Sequence, residues 1–346
     1  MDQRPDVAEL PSLISWNLEL FCCPACDGEL ALARTKHSLS CKDCGHEFLS
    51  DNGLPLLFWP NEWDGRSDVT ESVKAFYEEN PFPNYEDIDS DWSLRDAAKR
   101  GIFGRLLDEQ TPRNAKVLEV GCGTGQLSNF MGMSWGRSVF GADLCINSLS
   151  LGHRFKSSHG IDSTAFLQMN LFRPAFRPES FDLVVCNGVL HHTSDPELGF
   201  RSISKLVKKG GLIVIGLYNR YGRLTTDLRR IVFRASGDRF KFLDPRLRDR
   251  KLGEVRRNTW FMDQYKHPHE SKHTYGQIMK WFQRSGFEFV NSIPKATAFD
   301  SITEQEKLFE DNSSGTWLDH FIVQTGILIT GRAEGGFFLM IGRRVS

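Results

Sequence analysis

The chain has 346 residues, 43 basic and 44 acidic side chains and an apolar content of 40%, a composition that excludes disordered, collagen-like and coiled-coil proteins. Its length is that of roughly two domains. The apolar runs are far shorter than the ~18 residues of a membrane span, and the first residues do not resemble a secretory signal. We therefore expect a cytoplasmic protein with no membrane partner. The net charge of −1 gives no general argument for nucleic-acid binding.

Charge is nevertheless segregated along the chain. Residues 62–96 contain 3 basic and 11 acidic side chains, whereas residues 220–272 contain 15 basic and 7 acidic ones. The basic segment is therefore a candidate surface for an anionic substrate. The alternative is that both segments are solvated faces that attract each other.

Five of the eight cysteines lie within the first 44 residues. Two Cys-x-x-Cys pairs are separated by 14 residues, which is the spacing of a zinc ribbon whose two knuckles complete one tetrahedral site. Such a closed site is structural, and a unit this small needs the metal in order to fold. We predict a zinc ribbon over residues 21–60, after an N-terminal segment of residues 1–20. The predicted Zn²⁺ ligands are Cys23, Cys26, Cys41 and Cys44, with Cys22 as a spare thiol and His46 at the surface.

An acidic stretch follows the ribbon. Residues 61–104 combine carboxylates with Asn and Pro, as in residues 80–84, and they show too little apolar periodicity for a domain of their own. We interpret this stretch as a linker, or as an arm that packs on its neighbour.

From residue 105 to residue 346, short apolar runs alternate with segments of helix length. Strands separated by helices pair in parallel through crossover connections, so this pattern predicts a doubly wound α/β domain. Its sheet is expected to be Rossmann-like, mostly parallel and seven-stranded. The predicted strands are residues 117–120, 139–142, 165–168, 181–186, 212–217, 287–290 and 336–342.

Three glycines at every second position follow the first of these strands. They are Gly121, Gly123 and Gly125, and Glu119 stands two residues before them. Glycines at such a place allow a sharp turn and let a ligand lie against the backbone near a helix N-terminus. A dinucleotide-binding fingerprint would need its third glycine at position 126, which is Gln126. A nicotinamide cofactor is therefore disfavoured.

With this loop the chain resembles the class I S-adenosylmethionine-dependent methyltransferases, over roughly residues 105–343. The resemblance implies S-adenosyl-L-methionine as the cofactor, with its amino acid portion on the glycine loop, its ribose hydroxyls on Asp143 and its adenine beside Asn170. Asn170 stands where the family usually has Asp, but a carboxamide still accepts a hydrogen bond. The cofactor-binding residues implied in this way are Glu119, Gly121, Cys122, Gly123, Gly125, Asp143, Leu144, Asn170, Leu171, Asn187 and Gly188.

The acceptor side is expected where the fourth and fifth strands of the domain end. His191 and His192 follow the fourth strand and Tyr218 ends the fifth, so these three are our candidate catalytic residues. An imidazole beside the transferred methyl is able to take a proton from the acceptor. Alternatively, the histidines fill the pocket wall, because alignment alone suffices for many methyl transfers.

An insertion, residues 218–273, occupies the family's usual place for substrate recognition, and we expect it to cover the transferred methyl. Apolar residues share one face of its first helix, at positions 224, 228, 231, 232 and 235. Asp263, Gln264 and Tyr265 are expected to line the acceptor site. The alternative use of this segment is a metal site, although the spacing matches no defined motif; its ligands would be His267, His269, Glu270 and His273.

The ribbon with this fold also resembles the bacterial ribosomal-RNA guanine methyltransferases, and the ribbon alone resembles a small zinc-binding partner subunit of several methyltransferases. Our leading hypothesis is methyl transfer to an O, N or C nucleophile of a small or medium-sized metabolite with an anionic or aromatic group. The first alternative is an RNA methyltransferase whose ribbon and insertion bind phosphates. The second is a non-catalytic protein that binds the cofactor or a partner. The sequence leaves the oligomeric state open.

Overall fold

The structure is a computed structural model that describes residues 9–33, 36–63, 68–249, 252–330 and 335–346. Of the predicted N-terminal segment, residues 1–8 lie outside this part. The strands are β1 (Leu30–Leu32), β2 (Ser38–Cys41), β3 (Glu47–Asp51), β4 (Leu54–Leu57), β5 (Lys116–Val120), β6 (Ser138–Asp143), β7 (Thr164–Met169), β8 (Phe181–Asn187), β9 (Val207–Tyr218), β10 (Phe287–Ile293) and β11 (Phe337–Arg344).

The α-helices are α1 (Ser12–Ser15), α2 (Thr70–Glu79), α3 (Asp91–Lys99), α4 (Ile102–Gln110), α5 (Gln126–Gly132), α6 (Ile146–Ser158), α7 (Pro196–Ser204), α8 (Leu224–Ser236), α9 (Pro245–Arg248), α10 (Glu254–Phe261), α11 (Tyr275–Arg284) and α12 (Trp317–Thr330). A π-helical turn, Met262–Lys266, continues α10. Among the described residues, no helix combines the length and the apolar character that crossing a membrane requires.

The central sheet has the strand order β7-β6-β5-β8-β9-β11-β10. β11 is antiparallel to both of its neighbours, and the remaining pairs are parallel. This confirms the predicted class of a mostly parallel, doubly wound sheet, whereas the strand count differs, since four further strands extend the predicted seven. The chain order reverses where β5 meets β8, and ligands of such sheets bind outside the carboxyl ends of the strands at this switch point.

The four-cysteine unit continues the same sheet. Strands β1, β2 and β3 form an antiparallel meander, β3 pairs with β4, and β4 runs parallel to β7 with Leu56 opposite Gln168. Leu54 and Leu57 of β4 are buried there. The full sheet therefore has eleven strands. Strand β4 of the ribbon pairs with β7, which would otherwise be an exposed edge strand of the domain.

The acidic stretch forms the helices α2, α3 and α4. Leu94 of α3 is buried beside Phe130, and Ile102, at the start of α4, is partly buried against the cluster that contains Val117. The stretch is thus packed on the sheet domain by apolar contacts, although its sequence shows little apolar periodicity. The division into domains stays a prediction, and the boundary that we place at residue 105 falls inside α4.

Candidate active site

The glycine loop turns sharply between β5 and α5. Gly121, Gly123 and Gly125 have φ of +70°, +53° and +72°, which side chains other than glycine rarely adopt. A Cβ at Gly121 would overlap the side chain of Val189, and one at Gly123 would overlap the backbone oxygen of Phe82. These glycines are therefore required by the packing of the protein itself, in addition to any ligand.

Asp143 ends β6 and is bonded to the glycine loop. Its Oδ2 accepts from the N–H of Gly123 at 2.7 Å, and its Oδ1 accepts from the N–H of Cys145 at 2.9 Å. Burial raises the pKa of Asp143, and the backbone hydrogen bonds oppose that shift. Since each carboxylate oxygen has a second lone pair, Asp143 is still able to accept hydrogen bonds from a diol.

Glu119 lies beneath the loop in β5. It is buried and accepts a hydrogen bond from the hydroxyl of Ser128 on α5. Burial raises the pKa of Glu119 to about 8, although the bonds from Ser128 oppose the shift. Glu119 is therefore protonated near neutral pH, and it joins β5 to the first turn of α5.

Residues 82–85 of the arm lie directly on the glycine loop. Gln126 donates from Nε2 to the backbone oxygen of Asn84 at 2.6 Å, and Tyr85 donates from its hydroxyl to the backbone oxygen of Thr124 at 3.0 Å. The hydroxyl of Thr124 donates to the backbone oxygen of Pro83. The arm thus closes one wall beside the loop. Sequence reasoning missed this role because two of these three bonds end on backbone atoms of the arm, which side-chain composition does not reveal.

Asn170 follows β7 and joins the end of the ribbon to the sheet domain. Its Nδ2 donates to the backbone oxygen of Trp59 at 2.9 Å and to Oδ1 of Asn61 at 2.8 Å, while its Oδ1 accepts from the N–H of Phe172 at 3.1 Å. The two N–H groups of the carboxamide are therefore used within the protein, and Oδ1 keeps one lone pair for a ligand.

A single cavity of about 980 Å³ extends from the carboxyl ends of β5, β6 and β8 to the inserted segment. Of the predicted cofactor-binding residues, all except Gly125 line it. The lining residues of this set are Glu119, Gly121, Cys122, Gly123, Asp143, Leu144, Asn170, Leu171, Asn187 and Gly188. The same cavity is also lined by a polar and aromatic group formed by Tyr77, His192, Tyr218, Asp263 and Gln264.

The two adjacent histidines have different surroundings. His192 lines the cavity, and its Nδ1 lies 2.9 Å from the backbone oxygen of His269. Since a carbonyl only accepts, Nδ1 carries the proton, and Nε2 of the neutral ring has its lone pair available. Burial lowers the pKa of His192 to about 4. His191 does not line the cavity, and within the described residues its ring nitrogens have no hydrogen-bond partner.

Tyr218 takes part in a hydrogen-bond network with the inserted segment and the arm. Nε2 of Gln264 donates to the hydroxyl of Tyr218 at 2.6 Å and to Oδ2 of Asp263 at 2.8 Å. The hydroxyl of Tyr77, from α2, donates to Oδ1 of Asp263 at 2.9 Å. Tyr77 is a further residue that the sequence did not single out, because its place in the site depends on how the arm packs. Tyr265, predicted for the site, instead bonds Asp244 and is absent from the lining.

Several cations of the inserted segment are occupied by internal partners. Nε of Arg223 donates to Glu270 at 2.9 Å, and Nη2 of Arg230 lies 3.0 Å from the same carboxylate. Arg256 lies near the arm, where its backbone N–H donates to Glu86 at 3.0 Å. Nη2 of Arg256 also lies 3.7 Å from Oδ2 of Asp87, so the acidic and basic segments meet here, and few of the segment's described cations face the cavity.

Among the described residues of the inserted segment, Arg246 is the cation that lines the cavity. Its guanidinium lies 4.1 Å from the ring centroid of Trp260, which also lines the cavity. No ion pair of Arg246 is formed within the described part of the chain. A stacked guanidinium is well suited to a planar anionic or aromatic group.

The four predicted zinc ligands meet at one point of the ribbon. Sγ of Cys23 lies 3.8 Å from Sγ of Cys44, and Sγ of Cys26 lies 3.5 Å from Sγ of Cys41. All four sulfur atoms lie within 4.8 Å of one another. Thiolates bound to Zn²⁺ at ~2.3 Å in a tetrahedron are separated by roughly 3.8 Å, so the cluster fits structural zinc.

The remaining metal hypotheses are wrong or unnecessary. In the described ranges, the four cysteines are the one group of three or more His, Cys, Asp or Glu side chains whose ligand atoms are close enough to share an ion. His267, His269, Glu270 and His273 do not form a second one, because Glu270 is paired with arginines and Nδ1 of His267 accepts from the backbone of His269. Cys22 is buried with its thiol 3.8 Å from the backbone oxygen of Pro174, as a spare residue.

The fold and the site are those expected of a class I S-adenosylmethionine-dependent methyltransferase domain, here with a four-cysteine unit attached. Residues 118–215, from β5 into β9, match the family model described as a methyltransferase domain. The predicted resemblance is thereby confirmed for this part of the chain. The match does not include the ribbon, the arm or the insertion.

The relatives are distant or short. The chain is 26% identical over 251 residues to an uncharacterized protein of Synechococcus, which is 64% of this chain and 60% of that protein. It is 39% identical over 107 residues to the ubiquinone biosynthesis O-methyltransferase of Chromobacterium violaceum, which is 30% of this chain and 45% of that enzyme. The chain thus spans less than two thirds of these curated relatives. Among solved structures, magnesium protoporphyrin IX methyltransferase from Synechocystis aligns with a TM-score of 0.46 at 13% identity, over 79% of this chain and 99% of that one.

Proposed function

We propose that this protein transfers a methyl group from S-adenosyl-L-methionine to an oxygen, nitrogen or carbon nucleophile of a small or medium-sized molecule that carries an anionic or aromatic group. The observation that carries the proposal is the continuous cavity between the glycine loop and the group around His192. Alignment of two reactants in one enclosed space is the main requirement of such a transfer.

The residues present fit the cofactor. The glycine loop would hold its amino acid portion, the free lone pairs of Asp143 would accept from its ribose hydroxyls, and Asn170 would face its adenine through Oδ1. When bound, the cofactor supplies an electrophilic methyl group on a sulfonium. The arm at residues 82–85 lies over the loop and would exclude water from this end of the cavity.

The acceptor end supports a role for His192 as a general base. Its ring is neutral at physiological pH, and the backbone oxygen of His269 holds the tautomer in which Nε2 is unprotonated. A base of this kind is useful for an acceptor O–H or N–H and is not needed for an acceptor that reacts without losing a proton. Tyr218 and Tyr77 would form the walls around the acceptor.

Arg246 and Trp260 support the choice of an anionic or aromatic acceptor. They line the cavity and combine a positive charge with an aromatic face. Arg246→Ala should raise KM for the acceptor and leave cofactor affinity unchanged. Arg248→Ala, two residues along the same short helix and outside the lining, is the matched control.

The RNA alternative is less well supported. Three cations of the basic segment, Arg223, Arg230 and Arg256, are bonded to acidic residues of the same chain, and the exposed arginines of the segment border an apolar surface rather than a basic groove. The experiment that separates the alternatives uses radiolabelled S-adenosyl-L-methionine with fractionated cell extract. We expect label in a small-molecule fraction. Label in RNA, or cofactor binding with no transfer to any fraction, would favour the RNA enzyme or the non-catalytic protein respectively.

A further inference from the structure

Helix α8 packs with its apolar face outward. Leu228 and Ile231 are each 64% exposed, and Leu224 and Val232 on the same face are 46% and 37% exposed. The inward face carries Thr226 and Phe233, which are buried, and the paired Arg230. A surface helix normally buries its apolar stripe in the protein, so α8 is reversed with respect to that rule.

The apolar surface continues beyond the end of α8. Phe240, Phe242 and Leu243 are 44%, 57% and 45% exposed, and the rings of Phe240 and Phe242 lie 5.9 Å apart. A shallow groove that includes Ile231 and Phe240 shows that helix and loop form one surface. We call this surface the outer face; it comprises Leu224, Leu228, Ile231, Val232, Ala235, Phe240, Phe242 and Leu243.

Positive charge borders the outer face. Arg234, Arg239 and Arg248 are exposed, and none of them has an acidic partner at ion-pair distance in the described ranges. The nearby carboxylates are occupied elsewhere: Asp227 is paired with Lys272, and Asp238 with Lys266. The exposed surface therefore combines an apolar centre with uncompensated cations.

We propose that the outer face docks on an anionic membrane surface, with the apolar side chains entering the headgroup boundary and the arginines contacting lipid phosphates. A basic amphipathic helix with aliphatic and aromatic residues on its free side is the pattern of an interfacial helix that lies on a bilayer without spanning it. The proposal differs from the expectation of no membrane partner, which rests on the absence of a spanning segment and does not address an interfacial helix.

Charge favours a bilayer over a second copy of the chain. In a two-fold dimer through this face, Arg234 and Arg239 of one copy would approach the same arginines of the other, and like charges oppose such a contact. An anionic bilayer satisfies them instead, at about 1 kcal/mol for each cation near its surface.

The outer face is adjacent in sequence to the cavity. Arg246, which lines the cavity, is three residues beyond Leu243. An acceptor that partitions into the bilayer would therefore enter beside the docked face. This consequence rests on the proposed function, whereas the docking itself does not.

Docking is tested by cosedimentation of the full chain with vesicles, without cofactor or acceptor. We expect binding to vesicles of phosphatidylcholine with phosphatidylglycerol, weaker binding to phosphatidylcholine alone, and a decrease as salt rises. Leu228→Asp and Ile231→Asp should each weaken binding by about tenfold or more, because each removes an apolar side chain from the boundary. Leu49→Asp is the matched control, since Leu49 of β3 is 63% exposed and lies in the ribbon.

The contribution of charge to binding is tested separately. Arg234→Glu with Arg239→Glu should remove the preference for phosphatidylglycerol, whereas Lys209→Glu, an exposed cation at the turn within β9, should not. Circular dichroism checks that the variants are folded. Absence of binding to both vesicles by the wild-type chain would overturn the proposal. So would a dimer in sedimentation velocity that Ile231→Asp dissociates while vesicle binding is unchanged.

Discussion

Arg223 and Glu270 form an ion pair beneath the cavity, with side chains that are 0% and 4% exposed. Nε of Arg223 donates to Oε1 of Glu270 at 2.9 Å, and the guanidinium lies 3.7 Å from the ring centroid of Tyr218. The pair thereby joins the inserted segment to the end of β9. A residue that the charge count assigned to a substrate surface is in fact a buried support of the cavity wall.

Removal of one partner should destabilise the fold strongly. Arg223→Met leaves the carboxylate of Glu270 buried with less compensation, and we expect the free energy of unfolding to fall by about 3–5 kcal/mol in urea titrations. Arg234→Met, on the exposed side of the same helix, should change it by less than about 0.5 kcal/mol. Equal effects of the two substitutions would show that the pair is not a support.

Glu119 should make stability depend on pH. Its pKa of about 8 in the folded chain lies above its ordinary value of 4.5. Between these values the folded state binds more protons than the unfolded state, so this residue's contribution to stability falls as pH rises, by at most about 1.4 kcal/mol per pH unit. Glu119→Gln does not titrate, and its free energy of unfolding relative to wild type should increase from pH 5 to pH 8. A pH-independent difference would contradict the assignment.

Asp143 is the sharpest test of the cofactor site. Asp143→Ala should weaken S-adenosyl-L-methionine binding by roughly 1–3 kcal/mol in calorimetry, because ribose hydroxyls lose bonds to a charged group. Asp162→Ala is the control, since Asp162 is exposed in the turn before β7. Gly123→Val should reduce binding as well, but through displacement of Phe82. Unchanged affinity in Asp143→Ala would remove this residue from the site.

The four-cysteine unit should contain one zinc ion per chain by elemental analysis. Cys26→Ser should lower that stoichiometry and the midpoint of thermal unfolding, since the metal contributes to folding. Cys22→Ser keeps the four sulfur atoms that converge and should retain the metal. Metal loss in Cys22→Ser but not in Cys26→Ser would reverse the assignment.

His192 is tested once an acceptor is available. If it is the base, His192→Gln should lower kcat by about 10²- to 10⁴-fold, and wild-type kcat should not fall between pH 8 and pH 5 through this residue, because its pKa of about 4 keeps the ring neutral there. His269→Ala retains the backbone oxygen that orients His192 and serves as the control. An unchanged kcat in His192→Gln would show that this side chain only forms part of the cavity wall.

Local patterns in the sequence predicted most of the sheet. The strand predicted at residues 181–186 is β8, Phe181–Asn187, and the glycine loop lies between β5 and α5 as its spacing indicated. The four cysteines converge for the same reason, because each knuckle is a local turn. The strand predicted at residues 212–217 was too short, since β9 begins at Val207 and continues through the Gly210–Gly211 turn.

Features that depend on distant segments were not predictable in this way. The pairing of β4 with β7 joins residues more than a hundred positions apart, and Tyr77 enters the cavity only because the arm folds over the loop. His191 and His192 are identical neighbours in sequence, yet His192 lines the cavity and contacts the backbone oxygen of His269, whereas His191 does neither.

The sequence by itself indicated the class of domain, the position of the glycine loop and the four cysteines that converge, since these follow from residue types at short spacing. The tertiary structure decided which charges remain free and which apolar residues remain exposed. The reason is physical: the energy of an ion pair or of a buried side chain depends on what lies opposite it. Arg223 and Leu228 show this on one helix segment, where the cation is buried and the leucine faces outward.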